Sequence, residues 1–279
     1  MDLVGRAGWG LLAAAAVSSA AFGLRWLSAG GALAAALLGA LVFGVGGLPW
    51  ALVLLAFFFS ASALSVSFGR QKQGRAGNHG VKGSRRDAAQ VLANGGVAGV
   101  AVLSTLLAAS SDFTWLFFCG ALAAATADTW ATEIGLTSSK PPRSLAGWKP
   151  VEPGTSGGVT LRGLLAAACG ALFIGLLSAV LVPGAAASGI PRLMLGLTVL
   201  VAGVAGTLVD SLLGATLQAV YYCPNCQRET ESAVDPACGT PTVLRRGWRW
   251  MGNDAVNALC TLSGSLVALG LGALLTSRL

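Results

Sequence analysis

Ala123-Ala124-Ala125-Thr126-Ala127-Asp128-Thr129-Trp130-Ala131-Thr132-Glu133-Ile134-Gly135 decides how this chain is read. Two carboxyl groups interrupt an apolar run long enough to cross a bilayer. A carboxylate in hydrocarbon costs at least about 2.5–3.5 kcal/mol, so it normally faces a polar cavity and has a function there. The pattern recurs: Asp210 lies inside a second membrane-length stretch and Asp254 at the edge of another. The chain has only eleven acids in 279 residues. Placing four of them this way points to a cation-binding site inside a bundle of helices.

Apolar residues make up 54% of the chain and charged residues 10%, with a mean hydropathy of +0.73. A soluble domain is closer to a quarter charged. Apolar runs recur at 9–24, 29–46, 48–68, 88–109, 113–136, 159–182, 192–217 and 254–276, each near the length of a transmembrane helix. The chain 1–279 therefore reads as one all-α integral-membrane domain of about eight transmembrane helices. The first run resembles a signal peptide in its basic start and small residues, but further spans follow at once, so it counts as a helix. The net charge of +7 sits in the connections between spans. That is the pattern of the positive-inside rule, not of nucleic-acid binding. With alternating spans and the loop 70–86 inside, only Arg6, Arg192 and Arg278 of the eighteen Lys and Arg residues fall outside. Both termini are then external, and the loops 69–87, 137–158 and 218–253 face the cytoplasm.

In the fifth span Asp128 and Thr132 are four apart, as are Thr129 and Glu133, and the two pairs are expected to share one broad polar face. Their oxygens suit Mg²⁺, which takes one or two carboxylates together with phosphate oxygens and water. A buried hydrogen-bonded network, or an ion path, would use the same residues. Asp210 is expected level with them, near the cytoplasmic end of the seventh span. Asn253, Asp254 and Asn257 open the eighth span, where capping accounts for one of the three. Asp128, Glu133, Asp210 and Asp254 form the expected metal site.

Before the sixth span, Gly154-Thr155-Ser156-Gly157-Gly158 allows a sharp turn and a close backbone approach to a ligand. Successive N–H groups beside a helix N-terminus make an anion site, and Lys149 adds a movable charge. The same string also reads as an ordinary Gly-rich turn with a Ser or Thr cap, and it lacks the ending of a Walker A motif. Arg86, Gln90 and Asn94, four apart, descend one face of the fourth span. Arg85 and Arg86 either neutralise phosphate or anchor the helix. Cys119, Cys169 and Cys260 are small apolar fillers within spans. Cys223, Cys226 and Cys238 share one cytoplasmic loop, where a reducing compartment disfavours a disulfide. They leave a structural zinc site one ligand short. Glu231 or Asp235 completes it, or the loop holds no metal. The lone histidine, His79, is in another loop.

Several strings together carry a resemblance. They are 123–135, Val151-Glu152-Pro153-Gly154-Thr155-Ser156-Gly157-Gly158-Val159-Thr160, Gln90-Val91-Leu92-Ala93-Asn94-Gly95-Gly96, Asp210-Ser211-Leu212-Leu213-Gly214-Ala215 and Asn253-Asp254-Ala255-Val256-Asn257. The chain from about residue 30 onward resembles the transmembrane protein 19-like family, which includes the plastid phytyl-phosphate kinase. The resemblance implies Mg²⁺-dependent phosphoryl transfer from a nucleoside triphosphate to a membrane prenyl or phytyl monophosphate, giving the diphosphate. It also implies catalytic roles for Asp128, Glu133, Asp210 and Lys149. Substrate contacts would come from Arg86, Gln90, Asn94, Thr155, Ser156, Gly157, Gly158, Asn253 and Asn257. The loop 149–158 is also similar in kind to the Lys…Gly-Gly loop of CTP-using lipid kinases and CDP-diacylglycerol synthases. It inserts Pro153 and Thr155-Ser156, which leaves CTP as one candidate nucleotide. The histidine that members often carry near the third loop cysteine is absent, its neighbour here being Ala237, which counts against zinc.

Two other readings stay open. A cytidylyltransferase would make a CDP-lipid from the same kind of substrate. An ion-coupled transporter would need polar residues on both faces, and Asp112 and Asp2 are the only acids assigned outside.

Overall fold

Long stretches of Ala, Leu and Gly favour helix, because in a bilayer the backbone must satisfy its own hydrogen bonds. The computed structural model describes residues 3–75, 85–107, 112–183 and 189–277, and among these are eight helices. They are α1 (Leu3–Gly23), α2 (Ala29–Leu41), α3 (Leu48–Arg75), α4 (Ala88–Ser104), α5 (Asp112–Gly135), α6 (Leu161–Leu181), α7 (Arg192–Thr216) and α8 (Asn253–Thr276). A π-helical segment, Val42–Gly46, extends α2. Among the described residues, five stretches are long and apolar enough to cross a membrane: Ala29–Gly46, Leu48–Phe68, Leu161–Leu181, Arg192–Thr216 and Asn253–Thr276. Of the expected loop 69–87, residues 76–84 lie outside the described residues, with Lys82 and His79, as does Arg278; its first part is not loop, since α3 continues to Arg75.

Helix α5 is the hub. It packs against α3, α4, α6, α7 and α8, and the run from Trp115 to Ala127 is buried except for Phe117. Small residues permit this crowding, as is usual where membrane helices meet. A Cβ on Gly264 of α8 would stand 2.6 Å from the Gly120 carbonyl oxygen of α5, and one on Gly206 of α7 would stand 2.5 Å from Ala124 Cβ. Polar side chains tie the helices together. Ser265 Oγ donates to the Phe117 carbonyl at 2.8 Å, and Thr261 Oγ1 donates to the Ala93 carbonyl at 3.2 Å. At the end remote from the acids, Trp50 packs on Trp115 and Phe118 with ring centroids 5.1 and 4.7 Å away. Outward on α6, Leu165, Leu172, Leu176 and Val180 stay exposed, the apolar face expected of a helix meeting lipid.

The all-α expectation holds for the body, and the helix bounds fall close to the expected runs. The loops 137–158 and 218–253 are more ordered than their composition suggests. β1 (Arg143–Ser144) pairs antiparallel with β2 (Gly158–Val159). A second sheet has the order β4-β3-β5, built from β3 (Val220–Cys223), β4 (Arg228–Thr230) and β5 (Val243–Arg246). Both sheets lie where α5 and α7 end and α6 and α8 begin.

Candidate functional site

The ends of α5 and α7 and the starts of α6 and α8 enclose a cavity of about 210 Å³. Asp128, Thr132, Asp210, Ser211, Asn253, Asn257 and residues 153–160 line it. Asp128 and Asp210 come from different helices and meet in a side-chain hydrogen bond. Asp210 Oδ2 is buried and has no hydrogen-bond partner. Two carboxylates this close repel when both are ionised, and a cation between them relieves that repulsion. Hydroxyl and amide oxygens of Ser211, Asn253 and Asn257 complete a hard, oxygen-rich wall.

The expected four-acid cluster is divided. A helix turns 100° per residue, so Asp128 and Glu133, five apart, point about 140° away from each other. Glu133 therefore leaves the cavity and turns to α3, where Ser65 Oγ donates to its Oε1 at 2.9 Å. Asp254 sits in the first turn of α8 and is not among the lining residues. None of Asn253, Asp254 and Asn257 is the cap of that helix, since Gly252 occupies the position. Lys149 is exposed and lies off the lining, whereas Lys140 is on it.

The Gly-rich string is both a turn and a wall of the cavity. Thr155 N–H donates to Glu152 O, and Gly158 N–H donates to Thr155 O, so these two amides are already engaged. Thr160, not the string itself, caps α6 by accepting from Gly163 N–H. Gly157 has φ +77, and a Cβ there would stand 2.2 Å from Ala215 N. Its smallness thus lets the loop lie on α7 just past Asp210, a requirement of packing rather than of a ligand.

Glu231 is the site residue that sequence reasoning placed elsewhere. Considered beside the cysteines, it instead lines the cavity. Its Oε1 accepts from Ser156 Oγ at 2.7 Å and from Gln218 Nε2 at 2.8 Å. It thereby ties the loop 154–158 to the end of α7. Arg246 of β5 is a second such tie, donating to the Ala215 carbonyl and, at 3.2 Å, to that of Gly214.

Arg86, Gln90 and Asn94 stay together but line a different space. This is an apolar cavity of about 110 Å³ among α1, α2, α3 and α4, walled by residues such as Leu38, Leu54 and Phe57. Arg86 lies over the Phe57 ring at 5.9 Å and donates to Ser62 Oγ at 3.3 Å. It also feels the Glu133 charge. The Gln90 side chain is committed to a capping box with Asp87, and Asn94 Nδ2 donates to the Gln90 carbonyl. Of the three, Arg86 alone carries a charge to offer an anion.

The family described as integral membrane protein DUF92 matches residues 12–265. Protein PGR of Arabidopsis thaliana is 34% identical over 195 residues, 63% of this chain and 67% of that protein. An uncharacterized membrane protein of Methanocaldococcus jannaschii is 31% identical, covering 70% of this chain and 76% of its own. One from Synechocystis is 26% identical, with 85% and 79% covered. No solved structure matches the chain.

Proposed function

The chain belongs to the DUF92 family of integral membrane proteins, and on that premise we propose that its polar cavity is a phosphoryl-transfer site. The donor is a nucleoside triphosphate, CTP among the candidates, and the acceptor is a prenyl-type monophosphate held in the membrane. The observation that carries this reading is the Asp128–Asp210 pair in its cavity of about 210 Å³, with Asp210 Oδ2 buried and unpaired.

The donor set suits Mg²⁺. Asp128 and Asp210 would hold it, with Ser211 and Asn257 near enough in the lining to order its water. Bound there, the ion supplies charge neutralisation at phosphate oxygens. Phosphoryl transfer is otherwise mostly positioning and electrostatics, and the chain's own groups serve those ends. Loop 154–158, fixed by Glu231, closes one side of the cavity. Lys140 supplies a positive charge on the lining, the part expected of Lys149. Arg86 offers a guanidinium at the edge of an apolar cavity on the other side of α5, a combination suited to an anionic head with a hydrocarbon tail. The Glu133 charge is close enough to act on Arg86, and Glu133 is not counted with the metal ligands.

One-sided placement of the polar groups favours this over a carrier. The test is incubation of the purified protein with Mg²⁺, each γ-labelled nucleoside triphosphate and a panel of prenyl monophosphates, followed by lipid extraction. Label in a lipid diphosphate is the expected result. A CDP-lipid, detected with α-labelled CTP, would convert the reading to cytidylyl transfer. No lipid product of either kind would overturn it.

A further inference from the structure

The cysteine loop is unused by that chemistry, and its geometry points elsewhere. β3 ends at Cys223, and the turn Pro224-Asn225-Cys226-Gln227 leads straight into β4. Cys226 N–H donates to Cys223 Sγ at 3.4 Å, an amide aimed at a sulfur, as suits a thiolate. The turn closes only because Gln227 takes φ +52, a left-handed conformation uncommon for a residue other than glycine. A second tight turn lies opposite. Asp235 O accepts from Gly239 N–H, and Asp235 N–H donates to Thr240 O. This turn delivers Asp235 and Cys238.

We propose that Cys223, Cys226, Cys238 and Asp235 bind one zinc ion in a structural site. One ligand-bearing atom from each lies within 4.8 Å of all the others, and Cys223 Sγ and Cys238 Sγ are 3.5 Å apart. Sulfurs held tetrahedrally at about 2.3 Å from one ion sit about 3.8 Å from each other, so little movement is needed. Two turns with two ligands each is the usual layout of such sites. The fourth ligand is an aspartate, and its capacity can be counted. Asp235 Oδ1 accepts from Arg228 Nη2, Ala237 N–H and Cys238 N–H, whereas Oδ2 accepts from Arg228 Nε. A carboxylate oxygen has two lone pairs, so Oδ2 has one beyond the Arg228 bond; the Cys223 thiol also bonds this carboxylate, and its proton leaves when the thiolate binds the ion. Arg228 offsets part of the negative charge that three thiolates and a carboxylate bring to a divalent ion. Three sulfurs select zinc over Mg²⁺ or Ca²⁺. The ion would fix the sheet that carries Glu231, and so hold the Gly-rich loop indirectly.

The test is elemental analysis of the full chain, purified in detergent without chelator. About one zinc per chain is expected for a closed structural site. Cys226→Ser and Cys238→Ser should each lose it, while Cys169→Ser in α6 should keep it. Should the serine variants fail to fold, two further measurements decide. Asp235→His, which preserves four ligands, should retain zinc. Wild type loaded with Co²⁺ should show thiolate charge-transfer absorption and tetrahedral d–d bands. Zinc-free wild type that takes up neither Zn²⁺ nor Co²⁺ after reduction would overturn the proposal. So would zinc content unchanged in both serine variants, or a Cys223–Cys238 disulfide in the protein as isolated.

Discussion

Asp128 and Asp210 meet in one cavity, whereas Glu133 turns to Ser65 of α3, and single substitutions separate the two roles proposed for them. Asp128→Asn and Asp210→Asn keep shape but remove the charge facing the shared cavity. Each should lower kcat by at least about 100-fold, the scale for losing one preorganised electrostatic group, while the protein stays monodisperse in detergent. Glu133→Gln keeps a hydrogen-bond acceptor for Ser65 but withdraws the charge near Arg86. It should retain most of kcat and act chiefly on lipid KM. Comparable kcat losses in all three variants would restore a single acid cluster. Wild-type rates in Asp210→Asn would remove the metal reading altogether. Sequence spacing put Asp128 and Asp210 at one end of the bundle, where they line one cavity, because position along a helix follows from counting along an apolar run. It merged the faces of Asp128 and Glu133 because i,i+4 pairs taken two at a time do not reveal that the pairs themselves diverge around the helix.

Among the elements, helices were legible and the small sheets were not. The runs expected at 192–217 and 254–276 correspond to Arg192–Thr216 and Asn253–Thr276, since Pro191 and the polar residues at each end punctuate a long apolar pattern. Strands of two to four residues, such as β1 and β3, are too short to show alternation. The partner of β1 lies across the loop to β2, and β3 divides its pairing between β4, across a short turn, and the more distant β5. Glu231 illustrates the limit: its bond to Ser156 spans 75 residues of sequence, so nothing local signals it. That bond also gives a cleaner test of loop 154–158 than any change at Gly157, where a side chain would collide with Ala215. Glu231→Ala removes the acceptor that Ser156 and Gln218 share. A hydrogen bond to a charged group contributes about 1.5–3 kcal/mol net, so the apparent nucleotide KM should rise about tenfold or more, with lipid KM little changed. Equal effects on both would show that Glu231 supports the fold and not the nucleotide side.

For the whole molecule, the open quantity is how many helices cross the bilayer, and α5 decides it. It carries Asp128, yet it is not among the five stretches that are apolar enough by composition. The hydropathy criterion judges a helix by its fitness for lipid, whereas α5 is surrounded by five other helices. Ala, Cys, Gly and Thr suit such a position, where close approach matters and lipid contact does not. A crossing α5 also explains the charge pattern. Lys140, Arg143, Lys149, Arg162, Arg228, Arg245, Arg246 and Arg249 all follow its C-terminal end or lie in the loops that join it there, as the positive-inside rule requires if that end is cytoplasmic. Leu107, 93% exposed before α5, and Ser139, exposed just after it, bracket the helix. An azide-bearing amino acid introduced at either position leaves every cysteine in place. In sealed, right-side-out vesicles, a membrane-impermeant cyclooctyne should label position 107 and spare position 139, until detergent exposes the latter. Labelling of both in intact vesicles would mean that α5 does not cross, and the one-sided, cytoplasmic placement of the acid pair would fall with it.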